Sequence, residues 1–169
     1  MSFEIERKFL VRGNDWQQLA THHTSIRQAY LATNGKSSIR VRLKGDGAAT
    51  LTVKSRSPSL RRLELEYDIP ALEAEAMMPL RQGAVIEKVR YLVPCSDLVW
   101  EVDVFSGDNL GLVIAEIELR HEYQRIELPL WVGREITGQS QYYNSSLVRR
   151  PFCSWSEAPA ASEVLGQNA

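Results

Sequence analysis

Cysteine is scarce in this chain of 169 residues: there are two, Cys95 and Cys153, and neither belongs to a CxxC pair. That speaks against a thiolate zinc site and a disulfide framework, and both side chains are expected to be reduced thiols. Histidine is also sparse, with His22, His23 and His121 lacking any motif context and expected on the surface. No apolar run approaches the ~20 residues of a membrane-spanning helix. No apolar stretch follows the N-terminus either, so a signal peptide is not expected and the compartment reads as cytoplasm. Neither sign of charge is in excess: 20 Lys and Arg face 21 Asp and Glu, for a net charge of -1. Such a balance argues against a nucleic-acid or membrane partner. The four tryptophans form no stacking array, and Trp100 and Trp131 are expected to be packing residues.

What the chain does have is charge at two-residue spacing. Glu4, Glu6 and Lys8 alternate within the first eight residues, and the spacing returns at Arg40/Arg42/Lys44, Glu64/Glu66, Lys88/Arg90, Glu101/Asp103 and Glu116/Glu118. Side chains two apart on a strand point the same way, so each group lies on one face. The opposite face is apolar, with Ile39, Val41 and Leu43; Leu51 and Val53; Val89 and Tyr91; Val102 and Val104; and Ile117 and Leu119.

Strands are expected over 3–11, 25–32, 38–44, 50–56, 61–69, 86–94, 98–105 and 113–122, separated by turns such as Asn34-Gly35 and Gly45-Asp46-Gly47. Short helices are expected over 16–21, 71–80 (stopped by Pro79) and 139–149, with a loop at 57–60. This is a mainly β (α+β) order whose short turns favour an antiparallel sheet, and its eight strands can close into a β-barrel with helices packed outside. One domain over 1–152 and a disordered tail over 153–169 complete the expectation.

The plain account of the charges is a solvated sheet face. Their sorting by strand argues otherwise, because like charges on one strand repel unless a counter-charge is supplied. The apolar face also needs cover. If helices supply it from outside a closed sheet, the charged face lines the interior, which is costly unless wet and paired with ligand or metal. Carboxylate clusters without His or Cys suit Mg²⁺ or Mn²⁺, whereas guanidinium and ammonium groups suit phosphate oxygens. Acids and bases in one cavity therefore imply a ligand made of metal and several phosphates.

These residues resemble the CYTH family, the triphosphate tunnel metalloenzymes. Glu4-Ile5-Glu6-Arg7-Lys8 is similar to the family's ExExK signature. Arg40-Val41-Arg42, Leu51-Thr52-Val53-Lys54, Arg62-Leu63-Glu64-Leu65-Glu66, Glu87-Lys88-Val89-Arg90, Trp100-Glu101-Val102-Asp103 and Glu116-Ile117-Glu118 follow in order. The resemblance implies an eight-stranded antiparallel β-barrel tunnel with a charged interior, an enzyme that hydrolyses a small-molecule triphosphate with Mg²⁺ or Mn²⁺, in first place inorganic tripolyphosphate. Glu4, Glu6, Glu116, Glu118 and Asp103 would hold metal. Lys8, Arg40, Arg42, Lys54, Arg62, Lys88 and Arg90 would bind phosphate. Lys8, Glu118 and Asp103 would act in catalysis, and Glu64, Glu66 and Glu101 would be a further acidic site or cation partners. An adenylate cyclase, a thiamine triphosphatase and a non-enzymatic polyphosphate or nucleotide binder are the alternatives on this fold. Nothing in the sequence speaks to oligomeric state.

Overall fold

A computed structural model describes residues 2–56 and 61–156. The loop expected at 57–60 and most of the tail expected at 153–169 lie outside the described residues. The strands are β1 (Ser2–Val11), β2 (His22–Thr33), β3 (Ser37–Lys44), β4 (Ala49–Ser55), β5 (Arg61–Asp68), β6 (Ile86–Cys95), β7 (Leu98–Phe105), β8 (Val113–Glu118) and β9 (Val132–Glu135). Their order across the sheet is β5-β4-β3-β2-β6-β7-β8-β1-β9, and β5 pairs back onto β1. That last pairing closes the first eight strands into the antiparallel barrel that the family resemblance implied. Closure leaves no long open edge among them.

The short β9 has no counterpart in the sequence reading. Its four residues, Val132-Gly133-Arg134-Glu135, are too few to reveal a period. It occupies the edge of β1 that β5 leaves free: β1 pairs with β5 over Ser2–Ile5 and with β9 at Phe9 and Val11, where the register shifts. The strand expected at 113–122 ends at Glu118. Beyond it Leu119 N–H still donates to Ile5 O, and the chain then turns where Gln124 N–H donates to His121 O.

The helices are smaller than expected. A 3-10 turn over Asp15–Leu19 stands where a helix at 16–21 was anticipated. α1 (Ala71–Met77) tightens into a 3-10 turn over Met78–Leu80, as Pro79 dictates. The stretch 139–149 splits into a 3-10 turn over Ser140–Tyr142 and α2 (Asn144–Leu147), because Tyr143 between them is extended. A further turn, Phe152–Ser154, brings Trp155 edge-on to Tyr142 and Phe152 at ring distances of 5.2 and 5.1 Å.

Two apolar clusters cover the outside of the barrel. Trp16, Trp131 and Val132 pack over Ile5, Phe9, Trp100, Val102 and Ile117. Ala74 and Met78 of α1 and its turn pack over Ala29, Val41 and Ala49. Phe9, Trp100 and Trp131 meet edge to face at 5.5 and 5.6 Å, and each such side chain contributes about 1.5–3 kcal/mol on burial. A third cluster sits inside. Leu10, Ile86, Phe105 and Ile114 share the inward face with the charged residues of their strands, and they pack against Ile136, Tyr142, Leu147, Val148 and Phe152. The interior is thus charged along its middle and apolar at the end that the C-terminal segment fills. His22, His23 and His121 are exposed as anticipated, and Cys95 and Cys153 are free. No described helix is long and apolar enough to cross a membrane.

Candidate active site

A cavity of about 1160 Å³ lies inside the barrel. Of the residues singled out from the sequence, Glu4, Glu6, Lys8, Arg40, Arg42, Lys54, Arg62, Glu64, Glu66, Arg90, Glu101, Glu116 and Glu118 line it. Period-two alternation on closed strands is sufficient to bring them together. Lys88 and Asp103 do not reach the wall; both side chains are fully buried behind it.

The acids and bases interlock. Lys8 Nζ donates to Glu116 and lies 3.3 Å from Glu6. Burial pushes the Lys8 ammonium down, but Glu116 and Glu6 outweigh it and hold it above its usual range. Burial likewise pushes Glu116 up, yet Lys8, Arg90 and Lys88 hold its carboxyl well below the ordinary range. Lys54 donates to Glu4 and lies 3.1 Å from Glu64 and 3.8 Å from Glu6. Arg40 donates to Thr52 Oγ1 at 3.1 Å and stands 3.9 Å from Glu64 and 3.7 Å from Glu66. Glu64 and Glu66 are therefore cation partners in this arrangement. Arg62 lies over the Tyr143 ring at 4.8 Å and donates to its hydroxyl at 3.0 Å.

Asp103 occupies a different place from the one expected of a metal ligand. Both its oxygens accept from Arg90 at 2.7 Å, and Lys88 donates to Oδ2 as well. Burial would raise its carboxyl, but Arg90 and Lys88 prevail and lower it. Lys88 also departs from expectation, as a buried prop where a direct phosphate contact was anticipated. Burial outweighs the pull of Asp103 and, with Arg90 sharing the same carboxylate, pushes the ammonium down to about 8. Arg90 reaches onward to Glu116 at 2.8 Å and to Glu101.

Two wall residues stand out for what they lack. Arg42 has no carboxylate partner among the described residues; its Nε donates to Gln28 Oε1 at 3.1 Å. Burial, then Arg40 and Arg90, push its guanidinium down to about 10. Glu118 has no cationic partner among the described residues, and burial followed by Glu4, Glu101, Glu6 and Glu64 raises its carboxyl. One site thus carries surplus positive potential and the other surplus negative potential. The wall holds eight acidic and eight basic residues, so its formal charges cancel. A polyanion alone would meet as much repulsion as attraction, whereas a polyanion with a divalent cation satisfies both halves.

The donor set on the acidic side is all oxygen, which fits a hard divalent cation. Among the described residues no three carboxylates converge on one point, since all but Glu118 are drawn to neighbouring cations. The sequence reading missed Gln28, which orients Arg42, and Thr52, which bridges Arg40 to Glu66 at 3.0 Å. Thr52 lies two residues before Lys54, so the same alternation could have found it.

The CYTH domain model matches residues 2–152. An inorganic triphosphatase of Acetivibrio thermocellus is 44% identical over 158 residues, covering 93% of this chain and 100% of that protein. The crystal structure of another inorganic triphosphatase is 33% identical, covers 88% of this chain and 95% of its own, and superposes with a TM-score of 0.61. A Hippeastrum protein described as having a dominant triphosphatase activity shares the fold at 15% identity and a TM-score of 0.55, over 70% of this chain and 80% of its own.

Proposed function

The chain belongs to the CYTH family, and from that premise we propose that it is a metal-dependent inorganic triphosphatase, hydrolysing tripolyphosphate to pyrophosphate and phosphate. The observation that carries this reading is the charge-balanced cavity, in which Arg42 lacks an anion and Glu118 lacks a cation. Arg40, Arg42, Lys54, Arg62 and Arg90 bind the phosphoryl oxygens and hold the chain in line. Lys8 neutralises charge that develops on the phosphoryl group under attack. Glu4, Glu6, Glu116 and Glu118 are the residues that would hold Mg²⁺ or Mn²⁺. Such an ion supplies Lewis acidity for the phosphoryl oxygens and helps provide a nucleophilic water at neutral pH.

Asp103 has the role of fixing Arg90, with Lys88 as its second brace. Water oxygen bonds to a terminal phosphorus, the bond from that phosphorus to the bridging oxygen breaks, pyrophosphate leaves, and the water's protons pass to the phosphate products and solvent. Glu118, raised by burial and then by its acidic neighbours, is the wall carboxylate without a cationic partner among the described residues and is placed to orient that water. Tyr143, Asn144 and Ser145 form the wall beside Arg62. The apolar cluster that includes Tyr142, Leu147 and Val148 packs behind them, which supports a short inorganic chain as the substrate.

The test is product analysis with tripolyphosphate, ATP and thiamine triphosphate side by side, with and without Mg²⁺ or Mn²⁺. Metal-dependent phosphate release, fastest from tripolyphosphate, is the expected result. Cyclic AMP and pyrophosphate from ATP, or binding of all three without turnover, would overturn it.

A further inference from the structure

Lys8 sits where β1 changes neighbours. Its outer edge is paired with β5 over Ser2–Ile5 and with β9 from Phe9 onward. Between these pairings the backbone of Lys8 is held by the two residues after β9. Its carbonyl accepts from Ile136 N–H at 2.8 Å. Its N–H donates to a side chain, Thr137 Oγ1, at 3.0 Å. The Thr137 hydroxyl donates in turn to Glu135 Oε1 at 2.7 Å. Glu135 is gripped by Arg7, with Nε on Oε1 at 2.8 Å and a terminal nitrogen on Oε2 at 2.6 Å. The close approach of β9 depends on Gly133, where a Cβ would lie 2.9 Å from Leu10 O.

We propose that Thr137, oriented by the Arg7–Glu135 pair on the outside of the barrel, is a positioning residue for Lys8 inside it. The hydroxyl both accepts from the Lys8 amide and donates to a carboxylate whose charge Arg7 fixes, so its direction is set. A strand residue whose backbone is fixed has its side-chain direction fixed too, here between Glu116 and Glu6. Loss of the hydroxyl frees the Lys8 backbone at a place on that edge where the N–H donates to a side chain.

The inference rests on the triphosphatase reading for its kinetic consequence. T137V, which keeps the shape and removes the hydroxyl, is expected to lower kcat for tripolyphosphate by about tenfold or more with KM changed less than about threefold. T137S is expected to restore kcat to within about threefold of wild type. In a K8A background T137V is expected to have no further effect on kcat, because the two act as a unit. Unchanged kcat in T137V, failure of T137S to rescue, or an equal loss in the K8A background would each overturn the proposal. Amide hydrogen exchange reads the clamp without turnover: T137V should speed exchange at the Lys8 amide by about tenfold while that of Phe9 is kept. Equal rates at Lys8 would sink the proposal even in an active enzyme. An inactive wild type would count against the triphosphatase reading alone, and the exchange result would still decide the clamp.

Discussion

Arg42 and Asp103 carry opposite consequences for the same tunnel, although both are charged and inward-facing. Arg42 is a cation held without a carboxylate. Replacing it with Met removes a burial cost as well as a binding group. R42M is expected to raise KM for tripolyphosphate about tenfold or more, with no loss of stability to urea. Asp103 is an anion held by two cations with no access to the cavity. D103N leaves Lys88 and Arg90 buried around a neutral amide, and it should lower unfolding stability by about 3–5 kcal/mol. Urea denaturation of the two variants, with kinetics alongside, separates them. A stability loss in R42M equal to that in D103N would show that Arg42 is a structural cation.

At the scale of elements, β9 is a small strand with a large effect on its neighbour. Its anchor to β1 is the Arg7–Glu135 pair, whose hydrogen bonds hold the Glu135 carboxyl below its ordinary value of 4.5. A depressed carboxyl contributes stability that is fully present above the unfolded value and is lost as pH falls through the folded one. Wild type is therefore expected to lose this contribution below about pH 4.5. E135Q should lack it at all pH values. Thermal melts from pH 3 to pH 7 should show the gap between the two proteins shrink towards acid, and a gap independent of pH would contradict the role given to the pair. The exposed Glu135 and half-buried Arg7 keep the effect small and sensitive to salt.

For the molecule as a whole, the cancelling charges of the wall make cation and polyanion depend on each other. Mg²⁺ alone meets the wall's basic residues, six of which pair with acids among the described residues, and tripolyphosphate alone meets the acids. Each by itself is expected to raise the melting temperature only slightly. Added together, with the catalytically impaired K8A variant to prevent turnover, they should raise it by more than the sum of the separate shifts. Strictly additive shifts would mean that the two ligands do not share the cavity.

Much of this was legible in the residues. Alternation alone dictates which side chains share a face, because a strand has a period of two wherever it lies. The sorting of acids and bases by strand then dictates what a closed sheet would enclose. Chain order and short turns dictate that neighbouring strands pair antiparallel. Tertiary structure decided what one-dimensional spacing cannot hold. Asp103 and Lys88 share the inward spacing of Glu101 and Arg90, yet they lie behind the wall because apolar neighbours at the filled end, Phe105 and Ile114 among them, exclude solvent there. Trp155, which read as tail, packs on Tyr142 and Phe152 because the Phe152–Ser154 turn folds it back. β9 and the Thr137 clamp arise from contacts more than a hundred residues apart in the chain, and proximity of that kind is set only when the barrel closes.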